Sequence, residues 1–137
     1  MSMNQMPLSQ IIYASRPFGF DAGVLDDILT VSRRLNARDH ITGTLICRGD
    51  MYLQLIEGPP EAIDATFDRI AGDDRHLEVT LLLSRHVSTR MFPGWAMRDD
   101  PARSWMWTQE EVAAGAIHNA SAAEILGVFE RLAAEAA

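Results

Sequence analysis

The chain has 137 residues, of which 47% are hydrophobic and 23% are charged, and its formal net charge is −7. These proportions predict one globular domain with its own core, and the acidic balance argues against a general nucleic-acid surface. All 12 basic residues are arginine, which excludes chemistry that needs a lysine, such as a Schiff base or a P-loop. No segment approaches the about 20 apolar residues of a membrane helix, and the start lacks the features of a signal peptide. One cysteine, Cys47, cannot form an internal disulfide, so a reducing cytoplasm is expected.

The first third of the chain predicts a strand and then a helix. The strand signal is the apolar run IIY, residues 11–13. The segment FDAGVLDDILTVSRRLN follows, with Asp21 as a plausible N-cap and Asn36 at the end of the helix. Its apolar residues recur at helical spacing: Val24, Leu25, Ile28, Val31 and Leu35.

The middle of the chain predicts a hairpin, a second helix and a further strand. Two strands are predicted on either side of a hairpin-like turn at residues 48–50, with the sequences HITGTLICR and DMYLQLIEG. PPEAIDATFDRIAGDD predicts a helix with proline in its first turn, where the missing N–H is harmless. LEVTLLLSRHV predicts another strand, and WAM predicts a short fifth one.

This β-α-β-β-α-β order is typical of the ferredoxin-like α+β fold. We expect the first and third strands to lie side by side and parallel at the centre of the sheet, with both helices on one face. The last third, residues 101–137, predicts a helical extension that covers the other face or docks on a partner, and residues 1–100 form the sheet domain. Ser121 is the expected N-cap of the final helix, whose apolar stripe is Ile125, Leu126, Phe129 and Leu132.

A primary amide, Gln54, stands between Leu53 and Leu55 in the predicted third strand. An amide has donors and acceptors that all need partners, and burying one unpaired costs about 1–3 kcal/mol per group. Gln54 is therefore expected to meet polar groups inside the fold.

Three further uncharged polar residues are expected near Gln54: Tyr13 on the neighbouring strand, and Ser32 and Asn36 one turn apart on the first helix. Together the four suit a neutral, amide-rich ring better than a phosphate or a metal. The alternative, that each is satisfied separately in the core, stays open.

Metal binding and nucleophilic catalysis find little support. His40, His76, His86 and His118 are scattered without the spacing of metal ligands. Cys47 lies in a predicted strand, which is more typical of a small core residue than of a nucleophile. RPFGF has too few glycines for a phosphate loop. We therefore expect neither a metal site nor a catalytic residue.

The chain resembles the BLUF family of blue-light sensors that use flavin. The matching pieces are IIYAS, ILTVSRRLNARDHITGTLI, MYLQLIEG, RIAGDDRH and RMFPGWAM, in this order over about residues 9 to 98. Each piece is weak by itself, but their succession is specific to the family.

The resemblance implies FAD between the two helices, with its ring against the sheet. It makes Tyr13 the photoactive tyrosine, Gln54 the amide between Tyr13 and the flavin, and Asn36 the partner of the ring's pyrimidine edge. Trp95 and Met97 fall on the positions that respond to the state of the glutamine. The other expected cofactor contacts are Ser32 beside Asn36, Ile28 and Ile70 on the ring's faces, and Arg69, Asp73, Arg75 and His76 at the ribityl and phosphate end. Ile28 and Ile70 could equally be ordinary core, and at least one of the last four could belong to a solvated helix end.

The resemblance also implies a receptor and not an enzyme. After excitation Tyr13 gives up an electron and then a proton, the radical pair recombines, and Gln54 is left in an alternative hydrogen-bonding state. No net chemistry occurs. An amide suits this role because rotation or tautomerisation exchanges donor for acceptor at nearly constant shape. Few residues follow Met97, so we expect a separate protein as the downstream partner, with a homo-oligomer possible and no binding to nucleic acid or membrane.

Two other classes stay open. A small hydrolase of the acylphosphatase kind would need a phosphate loop after the first strand, where ASRPFGF is a poor one. An interaction module without a chromophore would keep the fold alone. Purified protein would be yellow for the sensor and colourless for both alternatives.

Overall fold

The computed structural model describes residues 7–17, 22–48, 50–72, 76–94, 97–101 and 105–136. Its elements follow the predicted β-α-β-β-α-β order and continue with a short strand and three helices. In chain order they are β1 (Leu8–Pro17), α1 (Ala22–Asp39), β2 (Thr42–Arg48), β3 (Met51–Gly58), α2 (Pro60–Ala71), β4 (His76–Val87), β5 (Arg98–Pro101), α3 (Gln109–Ala113), α4 (Ala116–Asn119) and α5 (Ala122–Ala136).

The strands form one sheet in the order β4-β1-β3-β2-β5. β1 is antiparallel to both of its neighbours, β3 and β4, and β5 is parallel to β2. The expected parallel pairing of the first and third strands is therefore wrong. The crossover through α1 brings β2 back in the direction of β1, and the tight hairpin then reverses β3.

The fifth strand begins later than expected. Of the predicted WAM strand, Trp95 and Ala96 lie outside the described residues, and Met97 immediately precedes β5. β5 itself has the sequence RDDP and pairs with residues 44–47 of β2. These four residues carry no apolar alternation, so only the pairing reveals the strand.

Each face of the sheet carries its own apolar cluster. The cluster under α1 and α2 contains Ile11, Tyr13, Leu29, Ile41, Leu45, Tyr52, Ile56, Ile63 and Met97. The opposite cluster joins strand residues such as Leu53 and Leu55 to Ile125, Phe129 and Leu132 of α5. Both faces of the centre are therefore covered by the chain itself, which explains why every residue of β3 is buried. The prediction of two helices on one face and the C-terminal helices on the other is confirmed.

The predicted start of α5 is confirmed, whereas α1 ends later than predicted. The Ser121 hydroxyl accepts from the Glu124 N–H, and the Glu124 carboxylate accepts from the Ser121 N–H, so the predicted cap of α5 is a complete capping box. α1 continues to Asp39, which puts Asn36 inside its last turn and not at its end. The predicted cap Asp21 lies outside the described residues.

The described helices include none that is long and apolar enough to cross a lipid bilayer.

Candidate functional site

Tyr13 and Gln54 face each other across the β1–β3 ladder, where the strand register pairs them directly. The Tyr13 hydroxyl donates a hydrogen bond to Gln54 Oε1. Tyr13 is 0% exposed and Gln54 5% exposed, so water does not compete for this bond. The polar partner that the buried amide required is therefore Tyr13, as expected.

The other end of the Gln54 amide contacts Met97. Gln54 Nε2 lies 3.2 Å from Met97 Sδ, within hydrogen-bond distance for sulfur. A thioether can only accept, whereas a hydroxyl can donate or accept. The sulfur therefore directs the amide nitrogen toward Met97 and leaves the oxygen for Tyr13. Gln54 thus connects β1 to the residue that precedes β5.

Met97 is held from a second side by Arg33. Arg33 Nε on α1 donates to the Met97 backbone oxygen at 3.0 Å. Arg33 could not be singled out from the sequence, because it belongs to an arginine pair on the outer side of an amphipathic helix. Its contact partner is 64 residues away, and no local pattern indicates such a pairing.

Burial keeps Tyr13 protonated. The ring lies in the apolar cluster and meets Phe67 of α2 edge-on, with the ring centroids 5.5 Å apart and the planes at 67°. This desolvation raises the pKa of Tyr13 well above 10.0, and the positive charge of Arg69 acts in the opposite direction. The site therefore holds a neutral phenol whose proton points at an amide oxygen.

The two α1 residues of the expected site differ in burial. Asn36 is buried and Ser32 is half-buried. Asn36 lines a cavity of about 290 Å³ with Ile41 of the strand entry and with Pro93 and Gly94, which lie between β4 and β5. The buried amide is therefore near the same chain segment that leads to Met97.

The end of α2 supplies two of the expected residues. Ile70 is half-buried and packs against the cluster that contains Tyr13. Arg69 is exposed, and its charge reaches the Tyr13 phenol. Five expected contacts lie outside what the structure describes: the side chains of Ile28 and His76, and the residues Asp73, Arg75 and Trp95. Their roles stay predictions.

The residues on this face fit a flavin. Gln54 and Asn36 are buried amides that offer both donors and acceptors, as the carbonyl and nitrogen edge of the ring requires. Apolar side chains surround them, and exposed Arg69 offers a cation at the edge for a phosphate. A metal is not indicated, because the described residues contain no group of three or more His, Cys, Asp or Glu that could hold one.

The site joins a buried phenol, an amide and a thioether in series. A family model described as "Sensors of blue-light using FAD" (BLUF) matches residues 8–98, which include β1 to β4 and Met97. The chain belongs to the BLUF family. Because BLUF domains sense light and are not themselves catalysts, membership favours the sensor over the hydrolase and over the chromophore-free module.

Individual relatives agree with the family assignment. "Photoactivated adenylate cyclase subunit beta" of Euglena gracilis is 34% identical over 92 residues, which are 66% of this chain and 10% of that protein. "Blue light- and temperature-regulated antirepressor BluF" of Escherichia coli (strain K12) is 29% identical over 68 residues, 50% of this chain and 17% of that protein. The chain thus spans only a small part of these curated relatives.

A solved structure resembles almost the whole chain. "BlrB - a BLUF protein, dark state structure" has a TM-score of 0.75 and 30% sequence identity, and the match covers 96% of this chain and 98% of that one. The similarity therefore extends beyond the sheet into the C-terminal helices.

Proposed function

We propose that the chain is a blue-light receptor that binds FAD between α1 and α2 and signals through a change in the hydrogen bonds of Gln54. The observation that carries this proposal is the buried series of contacts from Tyr13 through Gln54 to Met97. The family of FAD-using sensors to which the chain belongs supports the choice of ligand.

The expected cofactor residues divide by the part of the flavin they would hold. Gln54 and Asn36 would bind the polar edge of the ring, with Ser32 adding a hydroxyl one turn before Asn36. Ile28 and Ile70 would pack on its two faces. The ribityl and phosphate end would meet Arg69, Asp73, Arg75 and His76. When bound, the flavin supplies absorption of blue light and an acceptor for one electron.

Tyr13 would give an electron and then a proton to the bound flavin, and both would return to Tyr13 afterwards, so that no net chemistry occurs. Its hydroxyl already directs the proton at Gln54 Oε1, so the proton leaves along an existing hydrogen bond. Since burial raises the pKa of Tyr13 well above 10.0, the phenol is protonated at neutral pH and ready to act as a donor.

After the proton transfer from Tyr13, a rotation of the Gln54 amide displaces Met97. Rotation of its amide places the oxygen where the nitrogen was, facing Met97 Sδ. The sulfur has no proton to donate, so the contact at 3.2 Å is lost. Loss of this contact changes the position of Met97, which immediately precedes β5.

We propose that the light state passes to a separate protein in the cytoplasm. Residues 1–100 are the flavin-binding unit, and the helical extension, residues 101–137, presents the change on the far face of the sheet. The relatives include a light-activated cyclase and an antirepressor, which shows that members of this family are linked to different effectors.

Absorption spectroscopy tests the proposal. The purified protein should be yellow, release FAD on denaturation, and show a reversible red shift under blue light. Chromatography of the released cofactor separates FAD from FMN. A colourless protein that also fails to take up added FAD would contradict the proposal, and Gln54→Leu, which should stay yellow without shifting, is the matched control.

A further inference from the structure

Residues 88–94 and Met97 are the described part of the chain between β4 and β5, and we call them the β4–β5 connector. At one end, Met97 contacts Gln54 in the cluster under α1 and α2. Near the other end, Phe92 is buried in the opposite cluster together with Phe129 and Leu132 of α5, and Met91 packs against it. The connector therefore touches the site on one face of the sheet and the C-terminal helices on the other.

Glu57 holds the start of the connector. Its Oε1 accepts from the Met91 N–H at 2.9 Å, and its Oε2 accepts from the Phe92 N–H at 2.7 Å. The side chain is 0% exposed. Met91 is half-buried, Phe92 is buried, and both lie outside the sheet ladder, so their N–H groups need partners from elsewhere. The carboxylate provides both and so fixes where the connector crosses the end of β3.

A row of polar side chains orients this carboxylate. Gln10 Nε2 on β1 donates to Glu57 Oε1 at 3.0 Å, and Gln10 Oε1 accepts from Arg85 Nε of β4 at 2.8 Å. Arg90, within the connector, donates to the Glu57 carbonyl at 3.0 Å and to the His40 carbonyl at 2.7 Å. Three strands thus contribute to one anchoring point.

We propose, building on the proposed function, that Glu57 is a positioning residue that couples Met97 to α5. Met97 lies five residues after Phe92, so a displacement of Met97 is taken up either by Phe92 and its cluster or by a change in the backbone at residues 91–92, and the Glu57 bonds oppose the second. Without these bonds the start of the connector is free to absorb the displacement. Glu57 lies on β3 with Gln54 but contacts none of the site residues in the described hydrogen bonds, so its role is in transmission and not in photochemistry.

The substitution Glu57→Gln separates the two roles. An amide of the same size has one oxygen acceptor in place of two, so at least one of the N–H groups of Met91, Phe92 and Gln10 loses its partner. The flavin absorption and the hydrogen exchange of residues 122–136 are measured in darkness and under blue light. We expect a yellow variant with the red shift of the unmodified protein and loss of the light-dependent difference in exchange. Glu61→Gln, at an exposed carboxylate of α2, should keep both.

The outcomes are distinct. An unmodified protein without a red shift would overturn the proposed function. An unmodified protein that shifts, combined with no light-dependent exchange in α5 or with an unchanged difference in Glu57→Gln, would overturn the coupling role alone. If Glu57→Gln fails to hold flavin, the variant Gln10→Met tests the coupling role instead. It removes the Gln10 donor to Glu57 Oε1 and leaves the bonds from the Met91 and Phe92 N–H groups in place. A partial loss of the exchange difference is then expected, and an unchanged difference overturns the proposal.

Discussion

At Tyr13 one oxygen atom distinguishes a photoactive side chain from a core residue. Tyr13→Phe keeps the ring that packs against Phe67, so flavin binding should persist. It removes the donor of the bond to Gln54, so illumination should give no red-shifted state. Spectra before and after blue light measure this. Tyr52→Phe, at another buried tyrosine of the same cluster, should still shift, and a normal cycle in Tyr13→Phe would return Tyr13 to a packing role.

Gln54 tests the switch itself. Gln54→Leu keeps the volume roughly constant, but the Tyr13 hydroxyl and a flavin edge lose their bond at a cost of about 1–3 kcal/mol each. We expect retained flavin, a slightly changed dark spectrum and no stable photoproduct. Gln54→Glu keeps the shape and an acceptor but cannot exchange donor for acceptor. A normal red-shifted product in that variant would show that another group stores the change.

The buried phenol also predicts a pH dependence of stability. Because the pKa of Tyr13 is raised well above 10.0 on folding, the folded state retains a proton that the unfolded state releases above that pH. The stabilisation is complete below pH 10.0 and is lost as pH rises toward the pKa of the folded state. Urea unfolding on either side of this pH should show a smaller alkaline loss in Tyr13→Phe. Equal losses would contradict the shift.

Some of the site's contacts could be inferred from the sequence. Gln54 in an apolar strand requires a polar partner, and the strand order makes Tyr13 its neighbour. Arg33 and Glu57 could not be assigned in this way, since their partners lie 64 and 34 residues away on irregular backbone. For Glu57 one signal was present: a carboxylate next to a buried apolar run needs hydrogen-bond donors.

At the scale of elements, apolar spacing predicted every helix and strand of the sheet core except the position of β5. Apolar spacing does not predict whether β1 and β3 run parallel or antiparallel, because a strand shows the same alternation in either direction. That direction follows from counting reversals along the chain: none through α1 and one through the hairpin. The polar sequence RDDP likewise does not predict a strand, since β5 is formed only through its pairing with β2.

The capping box of α5 gives a prediction for one element. Ser121→Ala removes the acceptor for the Glu124 N–H, which should lower the free energy of unfolding by about 0.5–2 kcal/mol. Ser84→Ala, at an exposed position of β4, is the control and should have a smaller effect. Denaturant unfolding measures both, and equal stabilities would mean that the cap contributes nothing to the fold.

For the molecule as a whole, the C-terminal helices complete the core. Leu53 and Leu55 are fully buried in a cluster that includes Phe129 and Leu132. A chain that ends at residue 104 should expose this apolar face and associate. Size-exclusion chromatography of both chains measures the effect. A monodisperse shortened chain that binds flavin normally would show that residues 1–100 are an independent unit.

The central position of β1 determines how the receptor can assemble. β1 pairs only with strands that come much later in the chain, β3 and β4, and Tyr13 lies 41 residues before Gln54. The β2–β3 hairpin can form early because its contacts are local, whereas non-local pairing is slow, about milliseconds to seconds in small β-rich domains. The bond between Tyr13 and Gln54 cannot exist until β1 has joined the hairpin. A chain in which β1 has not yet paired with β3 therefore lacks the hydrogen bond on which the proposed light response depends.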